Sequence, residues 1–258
     1  MNIRDKMHPL NLIVLGTAGA GKSALTATFG RWIEQNTDQK VAYINLDPGC
    51  DFVPFKPDFD IRDYFTIAQI MRDESLGPNG AMVRASELLE QKAGEFSERI
   101  NEIKADIRLI DTPGQMEVFL FHGGPEMANL VEGVTISLFL VDAEVTAKAT
   151  GLVFTRLLGL SVGLRLGVPA ISVLNKIDLA KDKLADIDRM LSDVEHMKGR
   201  VVNESSGVMI DLTLGLSKVL PELLPAARLV KVSAKTGEGM QELYNIVHET
   251  FCACGDLT

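Results

Sequence analysis

Cysteine is scarce in this chain of 258 residues: Cys50, Cys252 and Cys254 are all it has. The number is odd and the last two stand too close in sequence for an ordinary bridge, so a reducing compartment is expected and a disulfide framework is not. A chain this long does not depend on one, because folding can bury roughly three quarters of its extended surface. Histidine is nearly as rare, and His8, His122, His196 and His248 form no ligand cluster with cysteine. Positive charge is also short: 26 Lys and Arg stand against 35 Asp and Glu, for a net charge of −9. No dense basic tract relieves that excess, which argues against binding nucleic acid or an anionic membrane nonspecifically. Long uncharged apolar runs are missing too. The segment from Leu152 to Leu174 is interrupted by Arg156 and Arg165, short of the roughly 18 to 20 residues a membrane span needs. A soluble, cytoplasmic protein contacting neither nucleic acid nor membrane is expected.

What the chain does have is alternation. Short apolar runs rich in β-branched residues recur at Leu12 to Leu15, Val41 to Leu46, Ile107 to Ile110, Val134 to Val141, Ala170 to Leu174 and Leu229 to Val232, separated by longer segments of helical periodicity. This predicts an α/β fold, a mostly parallel sheet with helices on both faces and ligands at the carboxyl ends of the strands. Residues 1–258 read as a single domain with helical insertions at about 51–104 and 180–226. In the first insertion, Met82, Ala85, Leu89, Ala93, Phe96, Ile100 and Ile103 follow helical steps as one amphipathic helix. In the second, Met209, Leu212, Leu216, Val219 and Leu223 form another stripe, with Leu214 and Leu220 beside it. That stripe is expected to pack into the core, a partner-binding groove being the alternative.

Residues Gly16 to Ser23, GTAGAGKS, follow the first apolar run and fit the phosphate-binding loop pattern. Glycines allow a tight turn whose N–H groups face phosphate oxygens, and the helix beginning near Lys22 adds its positive end. Gly19, Ala20, Gly21, Lys22, Ser23 and Ala24 are therefore expected to hold the nucleotide, Lys22 reaching the β- and γ-phosphates and the Ser23 hydroxyl suiting Mg²⁺. With the surrounding alternation this predicts a three-layer, Rossmann-like P-loop NTPase. DTPGQ, Asp111 to Gln115, places a carboxylate at a strand end for Mg²⁺, the Gly114 N–H toward the γ-phosphate, and the Gln115 carboxamide where it can orient water. Glu117 is a second candidate for that water. Asp47 in NLDPG enters the same crevice and can hold metal-bound or attacking water. No arginine stands out as a cis finger, Arg62 and Arg84 being the available ones.

NKID, Asn175 to Asp178, and SAK, Ser233 to Lys235, end two later strands. The Asp178 carboxylate only accepts hydrogen bonds, so it matches the N1–H and N2 amine of guanine and is left unpaired by adenine. A mismatch of this kind supports discrimination of about 10⁴ or more. Lys176 can cover the base, Asn175 can brace the two loops and the Ala234 N–H can donate to guanine O6. GTP, not ATP, is the expected substrate, with GDP the product.

GPNG, Gly77 to Gly80, is by composition a turn between helical stretches. Together with GTAGAGKS, NLDPG, DTPGQ, NKID and SAK in this order, it makes the chain resemble the GPN-loop GTPases, in particular their archaeal form, over nearly its whole length. The resemblance implies a homodimer in which Gly77, Pro78 and Asn79 reach the γ-phosphate side of the partner's nucleotide. It implies slow Mg²⁺-dependent hydrolysis coupled to a conformational change, with Asp47, Gln115 and Glu117 near the attacking water. Eukaryotic relatives are associated with RNA polymerase assembly, so the resemblance also suggests a protein client, for which GTP would serve as the switch. A metal-delivery GTPase is a third reading, disfavoured by the scattered histidines.

Overall fold

Leu12 and Val14 face one side of the first strand, β1 (Leu10–Gly16), Ile13 and Leu15 face the other, and both sets are buried. A strand covered on both faces belongs inside a parallel sheet. The computed structural model, which describes residues 8–223 and 229–255, has seven strands, all parallel.

After β1 come α1 (Lys22–Asn36), β2 (Val41–Asn45) and a two-residue strand, β3 (Phe59–Asp60). Helices α2 (Ile67–Asp73), α3 (Pro78–Gln91) and α4 (Ala93–Asn101) lead to β4 (Ile107–Asp111), then α5 (Met116–Phe121) and α6 (Gly124–Leu130). Next are β5 (Val134–Asp142), α7 (Ala143–Thr146), α8 (Ala149–Leu166) and β6 (Ala170–Asn175). Helices α9 (Leu184–Ser192), α10 (Val194–Glu204) and α11 (Val208–Leu223) precede β7 (Leu229–Lys231) and α12 (Met240–Gly255).

The strand order is β3-β2-β4-β1-β5-β6-β7. Successive strands fill one side of β1 and then the other, so the reversal opens a crevice at the carboxyl end of β1. Phe29 and Ile33 of α1 and Leu243 and Val247 of α12 cover one face of the sheet. Leu89, Phe96, Phe119, Met127 and Val162 cover the other. A third cluster joins α7 and α8 to α9 and α10 through Leu152, Val153, Ile187, Met190 and Val201.

All six expected strands are present, and β3 is an addition. Two residues are too few to give a period, and the pairing of Ile44 and Asn45 with Phe59 and Asp60 creates the strand. The first insertion is therefore not wholly helical. Its long amphipathic segment is two helices, divided at Lys92, whose ψ of 9° leaves the helical range. The buried stripe continues across the break through Ala85, Leu89, Ala93, Phe96 and Ile100.

The stripe in α11 meets the expectation of core packing at Leu216 and departs from it elsewhere among the described residues. Met209, Leu212 and Val219 are 52%, 51% and 48% exposed, whereas Ile210, Leu214 and Leu216 pack on the third cluster. The periodicity was that of a helix, but α11 carries apolar residues on more than one face, so period alone did not choose the buried one. The side chains of Leu220 and Leu223 lie outside the described residues.

Helix α8 is long and apolar enough to cross a bilayer by length and composition. It lies on the sheet with Leu152, Val153, Val162 and Leu166 buried, and Arg165 donates to the Leu120 carbonyl. Cys50 and Cys252 are free thiols.

Candidate nucleotide site

The loop between β1 and α1 turns through Gly19 and Gly21, at φ of 77° and 92°, which glycine adopts without strain. Gly21 has a second constraint, since a Cβ there would stand 2.6 Å from Asn175 Nδ2. Lys22, first residue of α1, is buried and donates from Nζ to the Gly16 carbonyl at 3.1 Å. Burial pulls its ammonium pKa below the usual value, opposed by Asp111, Asp47 and Glu117 in that order. The end of β4, the segment after β2 and the first turn of α5 thus set three carboxylates near one lysine.

Asp111 ends β4 and is fully buried, and neither of its oxygens has a hydrogen-bond partner of normal geometry. Burial pushes its carboxyl up to about 7, with the adjacent Ser23 hydroxyl and Lys22 opposing and Asp47 reinforcing. Thr112, next in the chain, donates to the Val14 carbonyl at 2.8 Å and fixes the strand exit. Asp47 lies just beyond β2 and accepts from the Gly49 N–H at 2.8 Å; burial raises its carboxyl too. Gln115 precedes α5 and lines a small cleft with Asp47, Pro48, Ile67, Met82, Ser86 and Pro113, so two expected catalytic groups border one cleft beside helix α3. Glu117 is exposed in the first turn of α5. A Cβ on Gly114 would meet nothing within 4 Å, so its backbone is open to approach.

These residues suit a magnesium nucleotide. An orphaned buried carboxylate beside a serine hydroxyl, next to a second raised carboxylate, is a donor set that fits a divalent cation. Among the described residues no group of three His, Cys, Asp or Glu side chains forms a metal cage. Mg²⁺ needs no such cage, since water and phosphate oxygens complete its shell.

Gly21, Ala24, Asn175, Lys176, Asp178, Leu179, Ala234 and Lys235 line a cavity of about 380 Å³. Asn175, buried at the end of β6, donates to the Ala20 carbonyl at 2.8 Å and accepts from the Ala234 N–H at 3.0 Å. The brace expected of Asn175 is present. The Ala234 N–H, expected to face guanine O6, is directed at Asn175 instead, because the brace and the base draw on the same amide. Asp178 accepts from Ser233 Oγ at 2.6 Å through Oδ1, which orients the carboxylate. Lys176 sits in left-handed backbone at φ 64° and its Nζ binds Asp142 Oδ2 at 2.7 Å.

Gly77, Pro78, Asn79 and Gly80 are all exposed. Gly77 caps α3 and the Ala81 N–H returns to the Gly77 carbonyl at 2.9 Å, so Pro78, Asn79 and Gly80 form the first turn of α3 where a turn between helices was expected, because the fixed φ and missing N–H of proline suit a helix N-terminus. Among the described residues the Asn79 side chain makes no hydrogen bond. Of the two arginines, Arg84 forms surface pairs with Glu74 and Glu87, and Arg62 is paired with Asp60.

Asp142 and Leu179 were not foreseen. Asp142 ends an apolar run, as Asp111 and Asn175 do, and that position was the available signal. Leu179 follows NKID with no pattern of its own.

Fold and site together define a P-loop protein with a guanine-type base pocket. A family model described as "conserved hypothetical ATP binding protein" matches residues 14–253. GPN-loop GTPase PAB0955 of Pyrococcus abyssi is 39% identical over 254 residues, 96% of this chain and 99% of that protein. GPN-loop GTPase 1 of Dictyostelium discoideum is 31% identical over 92% of this chain, which spans 60% of that longer relative. The apo crystal structure of PAB0955 superposes with a TM-score of 0.85 at 35% identity, covering 95% of this chain and 98% of that one. The chain belongs to the GPN-loop GTPase family.

Proposed function

We propose that the protein is a homodimeric, Mg²⁺-dependent GTPase in which Gly77, Pro78 and Asn79 of each subunit complete the partner's active site. The observation that carries this reading is the exposed GPN segment at the start of α3, whose Asn79 side chain has no hydrogen-bond partner among the described residues. Pro78 presets the turn and Asn79 offers both an amide donor and a carbonyl acceptor.

Ser23, Asp111 and Asp47 would hold the Mg²⁺, whose charge offsets that of the β- and γ-phosphates. Lys22 draws on the same phosphates, so its present bond to the Gly16 carbonyl is exchanged for phosphate oxygen. Gln115 and Asp47 orient the attacking water, with Glu117 behind them. Water oxygen bonds to Pγ, the Pγ–O bond to the β-phosphate breaks, GDP leaves with that oxygen, and the water's proton goes to inorganic phosphate. Asp178 selects guanine. Raised pKa values at Asp111 and Asp47 fit this role, since the cation restores the charged form that burial disfavours.

The test mixes two inactive variants, Lys22→Ala and Asn79→Ala. In a mixed dimer one site has both residues intact, so activity partly returns. No recovery after verified subunit exchange would overturn the trans arrangement.

A second reading is that the nucleotide switches a protein-binding surface. Its support is the outward stripe Met209, Leu212 and Val219 on α11. RNA polymerase subunits are the client to try first by family analogy, and the net charge of −9 disfavours nucleic acid and anionic membrane as partners. Leu212→Glu should spare hydrolysis and abolish client binding; unchanged binding would discard this reading.

A further inference from the structure

The loop that carries Asp47 is clamped from outside. Arg62, in the turn after β3, grips Asp60 with two prongs, Nη2 to Oδ2 at 2.6 Å and Nε to Oδ1 at 2.9 Å. Its remaining Nη1 donates to the carbonyls of Cys50 at 3.2 Å and Asp51 at 3.3 Å. Asp60 Oδ1 also accepts from Nδ2 of the fully buried Asn45 at 2.9 Å, and Asn45 Oδ1 accepts from the Asp47 N–H at 3.1 Å. At the loop's centre the Pro48 carbonyl accepts from the Ile67 N–H at 3.0 Å. Residues 47–51 are therefore tied at their start by Asn45 and at their end by Arg62, and Asp60 joins the two ties.

We propose that Arg62 is a positioning residue for hydrolysis: by fastening the end of this loop to Asp60, it holds the Asp47 carboxylate in the crevice and acts only through Asp47. This rests on the role given to Asp47 above. All of its guanidinium nitrogens are engaged within the subunit, so Arg62 does not serve as an arginine finger. The task needs a planar fork that serves a carboxylate and two carbonyls together, which a lysine ammonium on its flexible stem cannot reproduce.

The test is a kinetic cycle on the full chain with Mg²⁺ and GTP, comparing wild type, Arg62→Ala, Arg62→Lys, Asp47→Asn and Arg62→Ala with Asp47→Asn. Both Arg62 variants should lose about 10- to 100-fold in kcat, the scale expected when a reacting group is misplaced by about 1 Å. GDP affinity should stay within about 2-fold, because the base pocket lies on other strands. In the Asp47→Asn background, Arg62→Ala should cost nothing further. An unchanged kcat in the Arg62 variants, an equal loss in the Asp47→Asn background, or a parallel collapse of GDP binding would each overturn the inference. If Arg62→Ala does not fold, Asp60→Asn, which keeps the volume and breaks the pair, must give the same loss of kcat. Wild-type activity in Asp47→Asn would bring down the role of Asp47 itself. A slow Asp47→Asn beside an intact Arg62→Ala brings down only the clamp.

Discussion

Asn175 donates to the carbonyl of Ala20 at 2.8 Å across 155 residues of sequence. That bond ties the base-binding end of β6 to the phosphate loop, and the same side chain accepts from Ala234. Asn175→Ala removes both bonds and leaves buried groups unpaired. A stability loss of roughly 2–4 kcal/mol is expected, with GDP binding weakened at least tenfold. Urea denaturation and calorimetric titration check the two; intact GDP affinity would contradict the brace.

Asp178→Asn replaces a pure acceptor with a group that both donates and accepts. Guanine loses a partner for one of its donors, whereas xanthine, with a carbonyl at C2, gains one. Relative kcat/KM for XTP over GTP should rise by about 10³ or more. A variant that still prefers GTP would show that Asp178 does not read the base.

Asp111 links pH to stability. Its folded value is raised from 3.8 to about 7, so between those values the unfolded chain releases a proton that the fold retains. The contribution of this group to stability therefore falls as pH rises through that window and levels off above it. In the absence of nucleotide and Mg²⁺, Asp111→Asn should be more stable than wild type at pH 8, by on the order of 2–4 kcal/mol. The difference should vanish near pH 4. The variant should also lose Mg²⁺-dependent hydrolysis. Equal denaturation midpoints at both pH values would refute the assignment.

Asn79→Ala alters an exposed side chain, so stability should change by less than about 0.5 kcal/mol. If Asn79 stabilises the transition state across the dimer, kcat should fall about 10²- to 10³-fold. A thermal melt paired with steady-state kinetics separates these. Lost stability without lost kcat would make the turn merely structural.

Much of this was legible from local chemistry. Strand patterning gave six strands because a parallel strand buried on both faces must be a continuous apolar run. GTAGAGKS, DTPGQ, NKID and SAK marked the crevice because a loop at a strand end can approach a ligand, and few residue types suit phosphate, metal or guanine there. The helical stripe from Met82 to Ile103 was legible from its period, but that α3 begins already at Pro78 was not read from GPNG.

Other features depended on partners distant in sequence. β3 is held by its pairing with β2, the outward residues of α11 are those left uncovered by its packing on α8 and α10, and the Ala234 amide is claimed by Asn175. The clamp of Arg62 on the Asp47 loop has no motif, because the loop offers it the backbone carbonyls of Cys50 and Asp51, and every residue carries one. The sequence by itself determined which chemistry the chain holds, through side-chain type and strand-end spacing. Only the tertiary structure decided which of those groups face one another, because hydrogen bonds and burial depend on distances that chain order does not set.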